Sequence, residues 1–321
     1  METGQKYIDF LPNRILTTFG GLASVIFLSK IFRSVTFSWI FINTIFYFLF
    51  NFLFYKTVLS IHKSRQVALV STLFLATNYA LISFGLNFLM DMGGWFFYML
   101  SIYLVFKYLE TDLRMYILSA SISVGVGLLF KEYAVLGVIP IATVLVYQNF
   151  DRNSWLYSLK KIFLNSIIPA LFAVIPIIIL YIFVYTKFHY TYIDWLNTNN
   201  ERYSDFNKIV EYIKSYGSLL NVLGLIFIGG LYYFFKQFKY LDSKIKLYAV
   251  SVILSVLPML VWPGITQRVL FVSVPVITII SSFFIKRFED NIYFFTPLLL
   301  VYFLINIYMD SFILNYVNLP F

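Results

Sequence analysis

Cysteine is absent from this 321-residue chain, and histidine occurs twice, as His62 and His189. The first absence excludes disulfides, thiolate metal sites and cysteine nucleophiles together. Two histidines leave no histidine-built zinc site. Charge is scarce as well: 12% of residues are charged and 60% are hydrophobic, where ordinary soluble domains have about 25% and about 45–50%. With a mean hydropathy of +0.82, too few polar side chains remain to cover a water-soluble core of this size, so the apolar residues face lipid or one another. No P-loop, GxGxxG, HExxH or N-x-S/T sequence occurs, which leaves ATP-driven transport and zinc proteolysis unsupported. The amino end, Met1 to Arg14, lacks the short apolar core of a signal peptide.

What is present is a series of long apolar runs, at 15–32, 36–60, 66–89, 92–108, 114–130, 133–149, 162–186, 218–235, 246–263, 266–285 and 292–313. They predict an all-α, polytopic transmembrane protein of about ten or eleven membrane segments. No repeat or Pro/Gly linker divides it, so residues 1–321 read as one transmembrane domain with a polar insertion at about 187–217. Within the insertion, 205–216 reads as a short helix of its own on the outer surface. The run 15–32 carries hydroxyls, two glycines and Lys30, and its composition favours an amphipathic helix lying flat at the interface over a span.

The excess of nine positive charges is a matter of topology rather than of nucleic-acid binding. Lys63/Arg65, Lys107/Arg114, Arg152/Lys160/Lys161, Lys236 to Lys246 and Lys286/Arg287 fall in every second loop, the pattern of loops held on the cytoplasmic side. The alternation puts Asp91, Lys131, Glu132 and Arg268 together on the extracytoplasmic side. Residues 114–149 as one helix would exceed about 50 Å, against a hydrocarbon core of about 30 Å. A charge left in hydrocarbon costs about 2.5–3.5 kcal/mol on insertion scales, so the turn is expected at Lys131-Glu132.

These four charges are the candidates for chemistry. Asp91 sits in a turn too short to let its carboxylate retreat into water; it reads either as a metal ligand, base or charge partner, or as a cap of the next helix. Lys131 could hold a phosphate, with Glu132 orienting it, or the two could neutralise one another. Adjacent side chains point about 100° apart on a helix, which favours separate roles. Arg268 is the only charge between Lys246 and Lys286; its planar fork suits phosphate better than an ammonium does, against the alternative of a snorkelling anchor. Aromatic residues make up 21% of the chain, and most of them are expected at lipid-facing and interfacial positions.

The order Asn13-Arg14-Ile15-Leu16, Asp91 ahead of Tyr98 to Lys107, Gly127-Leu-Leu-Phe-Lys131-Glu132 and Gln267-Arg268-Val-Leu resembles the GT-C superfamily of membrane glycosyltransferases, which includes protein O-mannosyltransferases and lipid A aminoarabinose transferases. The resemblance implies a GT-C-like fold in a multi-pass protein of the plasma membrane. It implies transfer of a sugar from a polyprenyl-phosphate donor to a protein, lipid or glycan acceptor at the extracytoplasmic face of the bilayer, with no nucleic acid involved. Asp91 and Asp9 are then the candidate catalytic carboxylates, Lys131 and Arg268 the phosphate-binding cations, and Glu132 and Arg14 supporting residues. A divalent metal, Mg or Mn, with Asp91 as a ligand would be the cofactor. The family's first span and acidic first outer loop have no counterpart ahead of residue 15; the reading expects either a start upstream of Met1, or Asp9 and Asp91 in their place, or a chain that has lost catalysis. Two alternatives stand beside transfer: a non-catalytic GT-C-like accessory subunit, and a lipid-linked-sugar flippase or transporter. The latter would need polar groups at mid-membrane depth and often shows inverted repeats.

Overall fold

A computed structural model describes residues 3–87, 90–151, 154–202, 208–262 and 265–317, with side chains described between 11–197 and 208–311 of those stretches. The chain is about nine-tenths helical, with no strand among the described residues. In order, the helices are α1 (Thr3–Phe32), α2 (Val35–His62), α3 (Arg65–Ala76), α4 (Tyr79–Ser83), α5 (Asp91–Thr111), α6 (Arg114–Phe130), α7 (Val138–Asn149), α8 (Trp155–Phe188), α9 (Tyr192–Arg202), α10 (Lys208–Phe238), α11 (Ser243–Val256), α12 (Gln267–Leu270), α13 (Val274–Arg287) and α14 (Phe295–Val317). Among the described residues, eight helical segments are long and apolar enough to cross a membrane.

Each expected run is largely helical among the described residues. Residues 66–89 form α3 and α4, separated at Thr77-Asn78, where the Asn78 side chain accepts from the Ala80 amide at 3.0 Å and starts a new helix. The segment 114–149 breaks at Lys131, whose backbone is extended (φ −164°, ψ 143°), and continues as the 3-10 helix Glu132–Gly137 into α7. The helix expected at 205–216 is present over its described part: helical backbone runs from Lys208 to a break at Asn221 (φ 33°, ψ −114°), a few residues later than expected, and the rest of α10 follows; residues 205–207 lie outside the described residues.

Serine caps begin α2 and α3: Ser34 accepts from the Phe37 amide and Ser64 from that of Val67. Between them, Lys63 takes a left-handed conformation (φ 54°) that ends α2. The basic loops meet at one end of the bundle, where Lys63 and Lys107 share Glu110 at 3.4 and 2.7 Å and Lys244 reaches Asp112 at 3.3 Å. Asp91, Lys131 and Arg268 gather at the opposite end. The core of aromatic and aliphatic side chains runs between the two ends. Trp95, Tyr98, Tyr248, Tyr302, Phe50, Phe74 and Phe271 are fully buried in it, so many aromatics pack helix against helix rather than against lipid. Rigid rings of this size fill the gaps between thin helices at little rotamer cost.

Leu11–Phe32 has the length and apolarity of a span, yet the middle of α1 lies against the ends of its neighbours. Leu16 packs on Leu180 and Val184, Gly20 on Leu129 and Phe130, and Gly21 on Met90. These are residues at the level of the Asp91 and Lys131 turns, where a helix lying along that interface would meet them. A non-helical Thr18 (φ −144°) kinks it there.

Candidate functional site

The two most enclosed of the long segments are Asp91–Thr111 and Gln267–Arg287, 67% and 78% buried over their apolar windows against 17–33% for the other six. They carry Asp91 and Arg268. Asp91 opens α5, but its carboxylate caps nothing: Met90 is the N-cap and no side-chain cap bond forms. The side chain is 1% exposed and instead faces Arg268, whose Nε lies 2.9 Å from Oδ2. The N–H does not point along that line, and both carboxylate oxygens remain buried without a hydrogen-bond partner. The contact is thus an ion pair with two acceptors still unsatisfied, in a place where satisfying them matters.

Arg268 is held by its own turn. Thr266 caps α12 by accepting from the Val269 amide at 3.3 Å, which sets the guanidinium one residue past the start of the helix. It meets Asp91 through Nε, so the terminal edge of the fork, the edge that binds carboxylate or phosphate bidentately, is not taken by Asp91. The side chain remains 31% exposed.

The second pair arrives on the break after α6. Extended Lys131 is followed at once by the 3-10 turn, so its side chain and that of Glu132 are no longer about 100° apart as on one helix, and Lys131 Nζ stands 3.0 Å from Glu132 Oε2. The geometric argument against their meeting does not apply here, because the backbone between the two is not helical. Both are largely buried, at 8% and 15% exposure.

Glycine makes the approach of the two pairs possible. A Cβ on Gly94 would lie 2.5 Å from Cβ of Lys131, and one on Gly93 would lie 2.5 Å from the Phe130 ring. The break after α6 therefore rests directly on the first turn of α5, beside Asp91.

Tyr133 joins the pairs. It is 1% exposed; its hydroxyl is within hydrogen-bonding reach of Arg268, and the charges of Asp91 and Glu132 also act on it. Lys131 Nζ lies 5.7 Å from the centre of its ring and Trp262 6.3 Å away. One turn beyond Asp91, fully buried Trp95 packs on Phe271 at 4.4 Å and leaves its indole N–H without a hydrogen-bond partner. Asp91, Arg268, Lys131 and Glu132 thus form one cluster of balanced charge around Tyr133. Sequence reasoning missed Tyr133 and Trp95, and read the two glycines only as easing the turn at Asp91. The adjacency Lys131-Glu132-Tyr133 and the spacing Asp91-Gly93-Gly94-Trp95 were the only signals, and both are short.

Arg14 lies exposed on α1, one turn before Thr18, whose hydroxyl donates to its carbonyl oxygen at 2.7 Å. The Asp9 side chain lies outside the described residues, as do Pro263 and Gly264 ahead of Arg268. No group of three His, Asp or Glu side chains comes together among the described residues. A divalent ion takes about six oxygen ligands, whereas Asp91 offers one carboxylate already facing a guanidinium; the described residues do not fit the metal.

The model of the dolichyl-phosphate-mannose-protein mannosyltransferase family matches residues 22–180. That stretch contains Asp91, Lys131, Glu132 and Tyr133 and runs from within α1 into α8; Arg268 lies beyond it. No curated protein matches the chain. The match spans the elements that carry Asp91, Lys131, Glu132 and Tyr133, and it supports a membrane glycosyltransferase of the GT-C type.

Proposed function

We propose that the protein transfers a sugar from a polyprenyl-phosphate donor to an acceptor hydroxyl, at the extracytoplasmic end of the bundle. The observation that carries this reading is the Asp91–Arg268 pair, 2.9 Å apart, with two unsatisfied carboxylate oxygens on one side and, on the other, a guanidinium that faces Asp91 through Nε. A carboxylate in that state accepts a hydrogen bond from an acceptor hydroxyl and draws off its proton as the glycosidic bond forms. The guanidinium edge, with Lys131 beside Tyr133, stabilises the negative charge that collects on the departing lipid phosphate. Enclosure strengthens both effects, since few waters compete. The positive-inside pattern supports that side: the loops of Lys63, Lys107 and Lys244 lie at the opposite end from Asp91, and basic loops stay cytoplasmic.

The test is transfer from a radiolabelled polyprenyl-phosphate sugar by the purified chain in liposomes, comparing Asp91→Asn and Arg268→Lys with the wild type. Arg268→Lys keeps the charge and loses the fork. Each is expected to lower transfer by about 100-fold or more, as removal of a positioned acid–base or charge-stabilising group does. Retained transfer in both overturns the site.

A further inference from the structure

A second space opens beside the charged cluster. Between α6, the 3-10 turn, α7 and α8 lies a cavity of about 300 Å³, walled by aliphatic side chains that include Leu128, Val135, Val174 and Ile177. Its volume is at the lower limit of ligand pockets and takes about ten methylene-sized groups at about 30 Å³ each. Its polar lining consists of Glu132 and Tyr192. Glu132 Oε2 is buried and has no hydrogen-bond partner, although Lys131 Nζ stands 3.0 Å away out of line. Burial first, and then the charge of Glu132, push the Tyr192 phenol above its ordinary range, so that its hydroxyl stays a donor. Aromatic neighbours hold that ring: Tyr181 stacks on it with centroids 6.0 Å apart and planes at 4°.

The chemistry of this space differs from that of a phosphate site. A phosphate group at its polar end would put a second anion against a buried carboxylate. A hydroxyl fits: it donates to the open Glu132 oxygen and accepts from Tyr192, with the attached hydrocarbon along the aliphatic wall. We propose that this cavity seats the hydrocarbon chain of a hydroxyl-bearing lipid, held at its head by Glu132 and Tyr192, and that this lipid is the sugar acceptor. The inference rests on the transferase reading above and narrows its acceptor from protein, lipid or glycan to a lipid alcohol. Glu132 is itself part of the charged cluster, paired with Lys131 and next to Tyr133, so the hydroxyl rests on Glu132 at the edge of that cluster and moves to Asp91 to give up its proton during transfer.

The experiment is photolabelling of the full chain in phosphatidylcholine nanodiscs, with hexadecanol bearing a mid-chain diazirine and with hexadecyl phosphate bearing the same group, mapped by peptide mass spectrometry. The alcohol is expected to label Leu128, Val135 and Ile177 about fivefold or more over the phosphate, and over Ile179 and Ile182, which are exposed on α8. Val174→Trp fills the cavity from its exposed side and is expected to reduce that labelling about fivefold. Glu132→Gln removes the repulsion and brings the two probes to within about twofold of each other. Preferential labelling by the phosphate overturns the proposal and makes the cavity a donor-lipid groove; even labelling along α8 overturns it as ordinary bilayer contact. Labelling needs no sugar and no turnover, so it fails or succeeds separately from the transfer test: a phosphate preference with inactive Asp91→Asn overturns only the acceptor assignment, and an alcohol preference with active site variants overturns only the transfer site.

Discussion

The Asp91–Arg268 pair predicts an asymmetry in stability. At 2.9 Å the gross attraction is about 6 kcal/mol for an effective dielectric of about 20, most of it offset by the cost of removing two charges from water. What remains depends on which partner is lost. Arg268→Gln leaves a carboxylate that is 1% exposed and cannot reach water; stranding a buried charge in this way costs about 3 kcal/mol or more. Asp91→Asn leaves a guanidinium that is 31% exposed, on a long side chain able to shift toward the interface, so the cost is about 1 kcal/mol. The double variant removes both charges and leaves two amides able to bond one another, at about 1 kcal/mol. The cycle therefore yields a coupling of about 3 kcal/mol, with the arginine substitution the more damaging of the two. Equilibrium unfolding in mixed micelles, followed by helical circular dichroism, measures all three. Equal single costs, or a double variant as unstable as the sum of the singles, would refute the reasoning.

Three further outcomes are expected. Gly94→Ala forces Lys131 away from α5, because the new Cβ would stand 2.5 Å from that of Lys131; it costs about 1–3 kcal/mol and most of the transfer activity, while Gly217→Ala, with nothing within 4 Å, is neutral or stabilising by up to about 1 kcal/mol. Asn78→Ala strands the Leu219 carbonyl and the Tyr302 hydroxyl, both buried partners of Asn78 Nδ2 at 2.8 and 2.7 Å, and should cost about 2–4 kcal/mol in the same unfolding assay. The Thr191 hydroxyl and amide both donate to Asp194 and hold its carboxyl below the ordinary aspartate range; a depressed folded value means the contribution is present above that range and lost as pH falls through it, so the N-terminal turn of α9 frays in acid, and Thr191→Val should raise the Asp194 midpoint in carboxyl carbon NMR.

How far the fold could be read in advance depended on whether hydropathy or side-chain geometry decided each element. Long apolar runs gave the helices, and alternating basic loops anticipated which ends gather, as Lys63, Lys107 and Lys244 now show at one end. Breaks were legible only where a charge would otherwise be buried: Lys131-Glu132 announced its turn, whereas the α3–α4 break was silent because a buried asparagine makes it. Asn78 lies inside an apolar run, and its capping role depends on Leu219 and Tyr302, which are far away in sequence. The short helix expected at 205–216 was legible, since helical backbone runs from Lys208 to a break at Asn221; its end was placed a few residues early because polar residues on an amphipathic stretch signal an interface but do not end a helix.

For the site, charge scarcity was the useful signal. In a chain with so few ionisable groups between its apolar runs, Asp91, Lys131, Glu132 and Arg268 had to be singled out, and they do converge. Their pairing was not legible, because it is decided by one residue's backbone: had Lys131 been helical, it would have pointed away from Glu132, and the extended conformation that pairs them also lets the turn settle on Gly93 and Gly94. Tyr133 escaped notice because a tyrosine among 26 carries no information by type. Only its place, fully buried between two ion pairs, marks it. The consequence is that the two halves of the cluster are mechanically linked: α5 carries the carboxylate and the glycine bed, the break after α6 carries the lysine and the tyrosine, and α12 brings the arginine. Any displacement of that break alters the distance from Lys131 to Asp91 and the contact of Tyr133 with Arg268 together. A substitution that touches no charge, such as Gly94→Ala, should for that reason impair transfer as severely as loss of a charged residue, through position alone.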